Sequence, residues 1–542
     1  MTDLKKNDLK DRILIFLSLS FIVLYFFKLG FPSIWHPNEG FYAEVPREMI
    51  ESGDLLTPYF NYEFRFQKPP LLYWLILPWQ LLLGQSEIAV RLPSALMAAG
   101  GVFLTFWLAS TVWNDKRAGL ISAAIIGSAF DYNTAARYGS PEMLLTVLMT
   151  ASLVVFYKWH MDNGKHKKYW LLLFYAICGL STLAKGPIGI ILPFLVIVPY
   201  FLLKKDIKEL LKVFSVGGAA IYLLVSVPWY LLMVQKHGAD FYNVVLGENV
   251  GRFVSKKSGT SNYLFYFGVL PWNFFPGSVF IVPAFIWLRN IVKRDTAVLY
   301  PVVWFASVFI FFSFSRSKLP TYIYPLFSPL EVITGGWISS ALRDNGRQGA
   351  VLSWVSPLIP VTVIAGVIWI RSYLPGISSV YIGILIFLLS WSIWTVKEKD
   401  RFGSFAVSMF AMTVFIVIFL QSIIPQIENS ARHYKEIAAK VAGEDPKKEL
   451  PFYGYKIFKE NLPFYLERKM RSLSLDEDKM NRFFSDNDAL VMMRSDLYRE
   501  KFSESAKKVI WEGPFYHKSE SRFMRYLIDI KNDRIEDFVI IR

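Results

Sequence analysis

Long apolar runs alternate with short basic clusters from the N-terminus to about residue 427. Ile13–Phe27, Ile188–Leu203, Val298–Phe312 and Phe402–Leu420 reach or approach the roughly 20 apolar residues that a bilayer-spanning helix needs. Basic clusters separate the runs at Lys5–Arg12, Lys116–Arg117, Lys165–Lys168, Lys204–Lys212, Arg289–Arg294, Arg343–Arg347 and Lys397–Arg401. Cytoplasmic loops carry an excess of Lys and Arg, so the pattern assigns all these clusters to the cytoplasm. Between Arg12 and Lys116 the chain must then cross an even number of times, yet three apolar segments lie there. The middle one, Leu71–Leu83, is too short for a span, contains Pro78 and Gln80, and carries the interfacial aromatics Tyr73, Trp74 and Trp79. It reads as an interfacial or re-entrant helix.

Each later pair of clusters encloses two apolar segments. The pattern therefore predicts an all-α polytopic membrane protein of about thirteen spans, with a cytoplasmic N-terminus and an external C-terminus. The outer loops are then residues 30–91, about 132–142, 183–187, 235–262, 314–320 and 372–376, with everything after about 425 outside as well. The tail, 428–542, changes character. "LPFYGYKIF", "ALVMMR" and "KKVIWEG" read as strands and "ENLPFYLERKM" and "SDLYREKF" as helices, which makes a small soluble α/β domain beside a membrane domain of residues 1–427.

Composition agrees. The chain is 54% hydrophobic and 19% charged, against about 45–50% and about 25% in soluble domains. The net charge of +15 sits in clusters between apolar runs, a pattern of topology that argues against nucleic acid. The only cysteine, Cys178, lies in an apolar segment, so no intrachain disulfide is possible. No small-residue cleavage site follows the first apolar run, which reads as an uncleaved span.

The unusual polar residues collect in the predicted outer loops. "HPNEGFYAEVPREMIESGD" reads as an interfacial helix with Pro46 in its first turn and Gly53 at its end. Phe41, Val45, Met49 and Ile50 would lie on lipid while Glu44, Arg47 and Glu48 face water. "RFQKPPLLYW" holds Lys68 with two prolines, "AARYGSPEMLLT" carries Arg137 and Glu142, and "LAKGPIG" carries Lys185. "HGADFYNVVLGENVGRFVSKKSG" carries His237, Asp240, Glu248, Asn249 and Arg252, and "SRSKLPTYIYP" carries Arg316, Lys318 and Tyr322. A few carboxylates among many cations suit a phosphorylated headgroup, since Arg pairs with phosphate bidentately and Lys acts as a point charge. The competing readings are local charge balance, a helix-capping role for Glu39, and a solvated charge run at Lys256 and Lys257. His237 and Asp240 lack a third His or Cys nearby, so no metal and no cofactor are expected.

In order along residues 30–470, "NEGFYAEVPREMIESGDLLTP", "FQKPPLLYW", "ARYGSPEMLLT", "LAKGPIGIILP", "PWY…ENVGRF", "FFSFSRSKLPTYIYPLF" and "NLPFYLERKM" resemble the polyprenyl-phosphate-dependent GT-C membrane glycosyltransferases. The resemblance is to the aminoarabinose (lipid A) transferases and the protein-mannosyltransferase-like group. It implies a GT-C fold and inverting transfer of a sugar from a polyprenyl-phosphate donor to a lipid A-like or other envelope acceptor, outside a bacterial inner membrane. By the family pattern Lys68, Arg252 and Tyr322 match donor-phosphate positions, with Arg137 in support, and Asn38, Glu39 and Glu142 fall on catalytic positions. The sequence departs from the family pattern at four places: an Asp-Glu pair reads Asn38-Glu39, the second-loop Asp is Glu142, Glu-Lys-Pro-Pro becomes Gln67-Lys68-Pro69-Pro70, and a His often found before the Arg-Phe of the long loop is Asn249. An amide cannot take a proton. A phosphate acceptor would need no strong base, whereas a hydroxyl acceptor would require Glu39 or Glu142. A transporter or flippase would place ionisable groups near the bilayer midplane, where these runs carry few. A catalytically degenerate binding member of the fold is the third reading, and Asn38 is its main support.

Overall fold

The computed structural model of the protein describes residues 2–249, 260, 262–291, 296–503, 508–519 and 523–542. Its N-terminal four-fifths is a bundle of helices: α1 (Thr2–Phe26), α2 (Asn38–Ser52), α3 (Leu71–Leu83), α4 (Glu87–Val112), α5 (Lys116–Ser128), α6 (Phe130–Ala136), α7 (Pro141–Met161), α8 (Lys167–Lys185), α9 (Ile188–Lys204), α10 (Ile207–Val213) and α11 (Val216–Asn249), followed by further apolar helices to Ala431. Several begin where local chemistry dictates. Ser86 Oγ caps α4 by accepting from Ala89 N, and Pro141 opens α7 at a position where its missing N–H costs nothing.

Among the described residues six helices are long and apolar enough to cross a membrane, and a seventh if Phe265–Asn273 and Gly277–Ile291, bent by 111°, form one span. A count of about thirteen is reached only if shorter helices such as Ile188–Lys204 and Leu299–Phe314 cross too. Leu71–Leu83 is a separate 13-residue helix, as its length and aromatics predict. α11 turns sharply at Gly238, whose φ of 56° and ψ of −132° suit glycine alone.

The first long loop differs from expectation. α2 forms over the predicted stretch and stops at Gly53 (φ 70°), whose N–H returns to Ile50 O. Pro46, however, is its ninth residue, well past the first turn. The helix is also not a surface element with a wet face: Glu44, Arg47 and Glu48 are as buried as Val45 and Met49. Burial is tolerable because the charges are paired internally. Arg47 donates to both Glu44 oxygens at 2.6 and 2.8 Å and to Glu51 at 2.6 Å. A hairpin that the alternation of residues did not reveal, β1 (Tyr59–Phe60) against β2 (Glu63–Phe64), packs beside it.

The tail covers the other side of α2. Its five-stranded sheet has the order β4-β3-β5-β7-β6, where β3 is Phe452–Tyr455, β4 Met470–Leu473, β5 Leu490–Arg494, β6 Val509–Phe515 and β7 Glu536–Ile541. β3 runs parallel to β4 and β5, and β7 antiparallel to β5 and β6. The three predicted strands form. The predicted helix "ENLPFYLERKM" is helical only over Leu462–Leu466. Glu467 breaks it with φ 51°, and the next residues pair as β4. Asn461 donates to Ile34 O at 2.9 Å, and Tyr465 accepts from Ile34 N at 2.6 Å while donating to Glu87 at 2.8 Å. Asn61 exchanges two 2.8 Å bonds with Met470. A Cβ on Gly40 would stand 2.6 Å from Glu460 O, so the approach requires glycine.

Candidate active site

The segment leading into α3, the starts of α7 and α9, the end of α8, the middle and end of α11, and the segment 312–325 line a cavity of about 110 Å3. Two lysines enter it. Pro69 and Pro70 lead directly into α3 and hold Lys68 at its head, as the two prolines in sequence predict. Lys185 is the last residue of α8, where the helix C-terminus favours a cation.

Each lysine faces a carboxylate. Lys185 Nζ lies 3.0 Å from Glu142 Oε1, and Glu142 occupies the first turn of α7, where the helix N-terminus favours an anion. Lys68 Nζ lies 3.9 Å from Glu248 Oε2, near the end of α11. That second pair is at the limit of an ion pair and beyond a hydrogen bond. Tyr322, on the 3-10 turn Pro320–Leu326, presents its ring 5.5 Å from Lys185 Nζ. Phe66, Trp229, Tyr230 and Phe312 supply an aromatic wall, and Thr146, Ser315, Ser317 and Thr321 supply hydroxyls. The result is an amphipathic chamber with two cations, suited to holding a phosphate next to apolar groups.

Three predicted site residues, Lys68, Glu142 and Tyr322, are thus brought together, and two unranked ones, Lys185 and Glu248, complete the pairs. Arg252, with Lys256 and Lys257, lies outside the described residues, four positions beyond Glu248. The other three fall elsewhere. Arg137 donates to Leu24 O at 2.8 Å, Tyr25 O at 3.0 Å and Lys28 O at 3.2 Å, satisfying carbonyls at the end of α1. Asn38 is an exposed residue at the start of α2 and does not line the cavity.

Glu39 is fully buried and holds Arg91 in a bidentate pair, both bonds 2.8 Å. It also accepts from Trp35 N and Gly139 N, each at 2.8 Å. Arg91 in turn donates to Leu29 O, Pro32 O and Ser33 O. The expectation placed Glu39 in the sugar site; instead it knots the first loop to α4 and to the turn three residues before Glu142. Arg91 was missed because it stands at the edge of an apolar run, where an arginine reads as a rim charge. His237 likewise serves packing: its ring lies 4.8 Å from Phe64 and 5.0 Å from Phe66, and Nε2 is 3.0 Å from Thr57 Oγ1.

A polytopic helical bundle with a charged chamber lined in part by its first loop, and with a small sheet domain packed on that loop, is the architecture of a GT-C membrane glycosyltransferase. Residues 12–242 match the dolichyl-phosphate-mannose-protein mannosyltransferase family. An uncharacterized protein of Aquifex aeolicus (strain VF5) is 30% identical over 523 residues, covering 96% of this chain and 97% of its own. The undecaprenyl phosphate-alpha-4-amino-4-deoxy-L-arabinose arabinosyl transferase of Yersinia pestis (strain Pestoides F) is 28% identical over 440 residues, 77% of each chain. The crystal structure of ArnT from Cupriavidus metallidurans bound to undecaprenyl phosphate shares the fold, with a TM-score of 0.75 over 97% of each chain at 22% identity. The chain belongs to the polyprenyl-phosphate-dependent GT-C glycosyltransferases, the family of the aminoarabinose and protein-mannosyl transferases, and is a multi-pass membrane enzyme.

Proposed function

We propose that the protein transfers a sugar from a polyprenyl-phosphate donor to a phosphate group of a lipid A-like acceptor at the outer face of the bacterial inner membrane. The observation that carries this reading is the pairing of Lys68 and Lys185 with Glu248 and Glu142 inside one cavity. Departure of a phosphate from the anomeric carbon builds negative charge, which a pre-organised cation stabilises. Lys68 supplies that cation. Its 3.9 Å pair with Glu248 is loose enough for a donor phosphate to take the carboxylate's place. Arg252 stands close after Glu248 in sequence and adds a second phosphate contact in this reading, with Tyr322 bordering the chamber.

The same pairing bears on the acceptor. Glu142 sits 3.0 Å from the Lys185 ammonium, and a carboxylate held by a cation is a weak base. An acceptor phosphate is already a nucleophile and needs none. Its oxygen attacks the anomeric carbon from the face opposite the donor phosphate; the new C–O bond forms as the old one breaks, and polyprenyl phosphate leaves with both electrons. Glu39 then serves as a positioning residue for the turn that carries Glu142. The orientation that follows places the N-terminus in the cytoplasm, with the cavity and a domain of residues 428–542 outside.

Purified protein in nanodiscs, given undecaprenyl-phosphate-linked 4-amino-4-deoxy-L-arabinose and lipid A, tests this directly. Mass spectrometry should show lipid A heavier by one sugar on a phosphate. Transfer to a hydroxyl-bearing acceptor with none to lipid A would overturn the acceptor assignment, and no turnover of any polyprenyl-phosphate sugar would overturn the donor.

A further inference from the structure

We infer that Lys318 is a positioning residue of the donor site: from behind the cavity wall its ammonium fixes the Ser315 turn and supplies the unmatched positive charge that draws the donor's phosphate in. This rests on the donor reading above and goes beyond it by assigning the charge balance of the cavity to a residue that does not line it. Among the described residues the lining carries four charges, Lys68 and Lys185 against Glu142 and Glu248. They cancel. A balanced lining exerts little net pull on an anion, so the excess has to come from the layer behind it.

Lys318 stands in that layer. It is 1% exposed, and its Nζ donates to the carbonyl oxygen of Ser315, a cavity-lining residue. The Ser315 hydroxyl donates in turn to Ser317 O at 2.9 Å, and Ser317 lines the cavity as well. The turn is thus folded onto the ammonium with both serines at the wall. Its continuation is held by neutral bonds: Tyr266 Oη donates to Leu319 O at 3.1 Å, and Asn273 Nδ2 to Pro320 O at 3.0 Å. Holding this segment therefore does not call for a charge. Yet the ammonium meets only the Ser315 carbonyl and the ring of Tyr263, 5.2 Å away, and among the described residues no carboxylate pairs with it. Proteins rarely bury a charge without a counter-ion, because desolvation is costly. A lysine kept here in spite of that cost is compensated when an anion enters the cavity beside Ser315.

Lys318→Met keeps most of the length of the side chain and removes the charge. The readout is the ratio of two affinities, undecaprenyl phosphate over undecaprenol, measured by equilibrium binding to the full chain in nanodiscs. A prop for the fold would alter both affinities alike, whereas a source of charge alters the ratio; being read on folded protein, it survives partial destabilisation. The ratio should fall roughly tenfold, the scale of one unit charge acting at about 10 Å through an effective dielectric constant of about 20. Lys318→Arg should restore most of it. The KM for the sugar-linked donor should rise in Lys318→Met while kcat changes little. Wild-type protein that binds undecaprenol as tightly as undecaprenyl phosphate would overturn the donor reading itself. A wild-type preference for the phosphate that persists in Lys318→Met would overturn only the role of Lys318. A preference lost equally in Lys318→Met and Lys318→Arg would also overturn it, because the arginine carries the same charge.

Discussion

Glu39→Gln keeps the shape of the side chain and removes its charge, and the structure sets what that change must cost. Glu39 is entirely buried and accepts four hydrogen bonds, two from Arg91 and one each from Trp35 N and Gly139 N. All four partners are donors. A glutamine offers one acceptor oxygen and one NH2, so at least one donor must face another donor. Arg91, itself 1% exposed, then loses the carboxylate it is bonded to and keeps three backbone carbonyls, with Glu87 as a more distant charge. Breaking one side of a buried ion pair costs about 3–5 kcal/mol. The variant should therefore be markedly less stable, and turnover per folded molecule should fall because the Gly139 anchor that sets the Glu142 turn is weakened.

The single cysteine provides the assay. Cys178 is fully buried in α8, so a thiol-reactive dye reports unfolding as the detergent-solubilised protein is heated. Glu39→Gln should shift the dye midpoint clearly downward. Replacing both partners, as in Glu39→Gln with Arg91→Met, should cost less than the sum of the two single changes, because no charge remains stranded. The double variant regains only part of the loss, since three carbonyls also lose their donor. A Glu39→Gln protein that melts with wild type yet has lost turnover would refute this reasoning and return Glu39 to the chemical step.

Lys68→Ala should raise the donor KM by roughly 10- to 150-fold, from the loss of a charge-assisted contact of about 1.5–3 kcal/mol, while Lys256→Ala changes it little; equal losses in steady-state kinetics would mean general headgroup attraction. Asn38→Asp should fold normally, because the start of a helix favours a carboxylate, and should leave initial rates nearly unchanged, since Asn38 is exposed and does not line the cavity; a large change in either direction would return position 38 to the site. Burial alone would raise the Asp54 carboxyl, but its 2.6 Å bond from Lys236 and the N–H groups of Thr57 and Leu56 hold it down at about 2. A depressed carboxyl contributes stability above its unfolded value, near 3.8, and loses it as pH falls toward 2. Unfolding midpoints read by intrinsic tryptophan fluorescence should thus fall between pH 5 and 3 more steeply for wild type than for Asp54→Asn, and parallel curves would remove the pair from the account.

What the sequence could show depended on how far apart the interacting residues lie. Leu71–Leu83 was legible as a separate short helix from its length and aromatics, β3, β5 and β6 from their short apolar runs, and the exit of α2 from Gly53. These are local signals. The position of Lys68 at the head of α3 was legible because its two prolines are adjacent. The pairs that decide the site are not local: Glu39 and Arg91 are 52 residues apart, Lys185 and Glu142 43, and no periodicity links them. The face of α2 was misread for the same reason. A helix with Glu44, Arg47 and Glu48 along one side looks wet from sequence alone, since nothing in those residues announces that a strand, a loop and a helix from beyond residue 430 will close over it. Once Asn461, Tyr465 and Met470 bind the first loop, water is excluded and each charge must find a partner within reach. Arg47 finds Glu44, and Arg91 finds Glu39. The charged cluster near the first span is thereby explained as a consequence of the domain that packs on it, and the proposed chemistry moves to the cavity where Lys68 and Lys185 face Glu248 and Glu142.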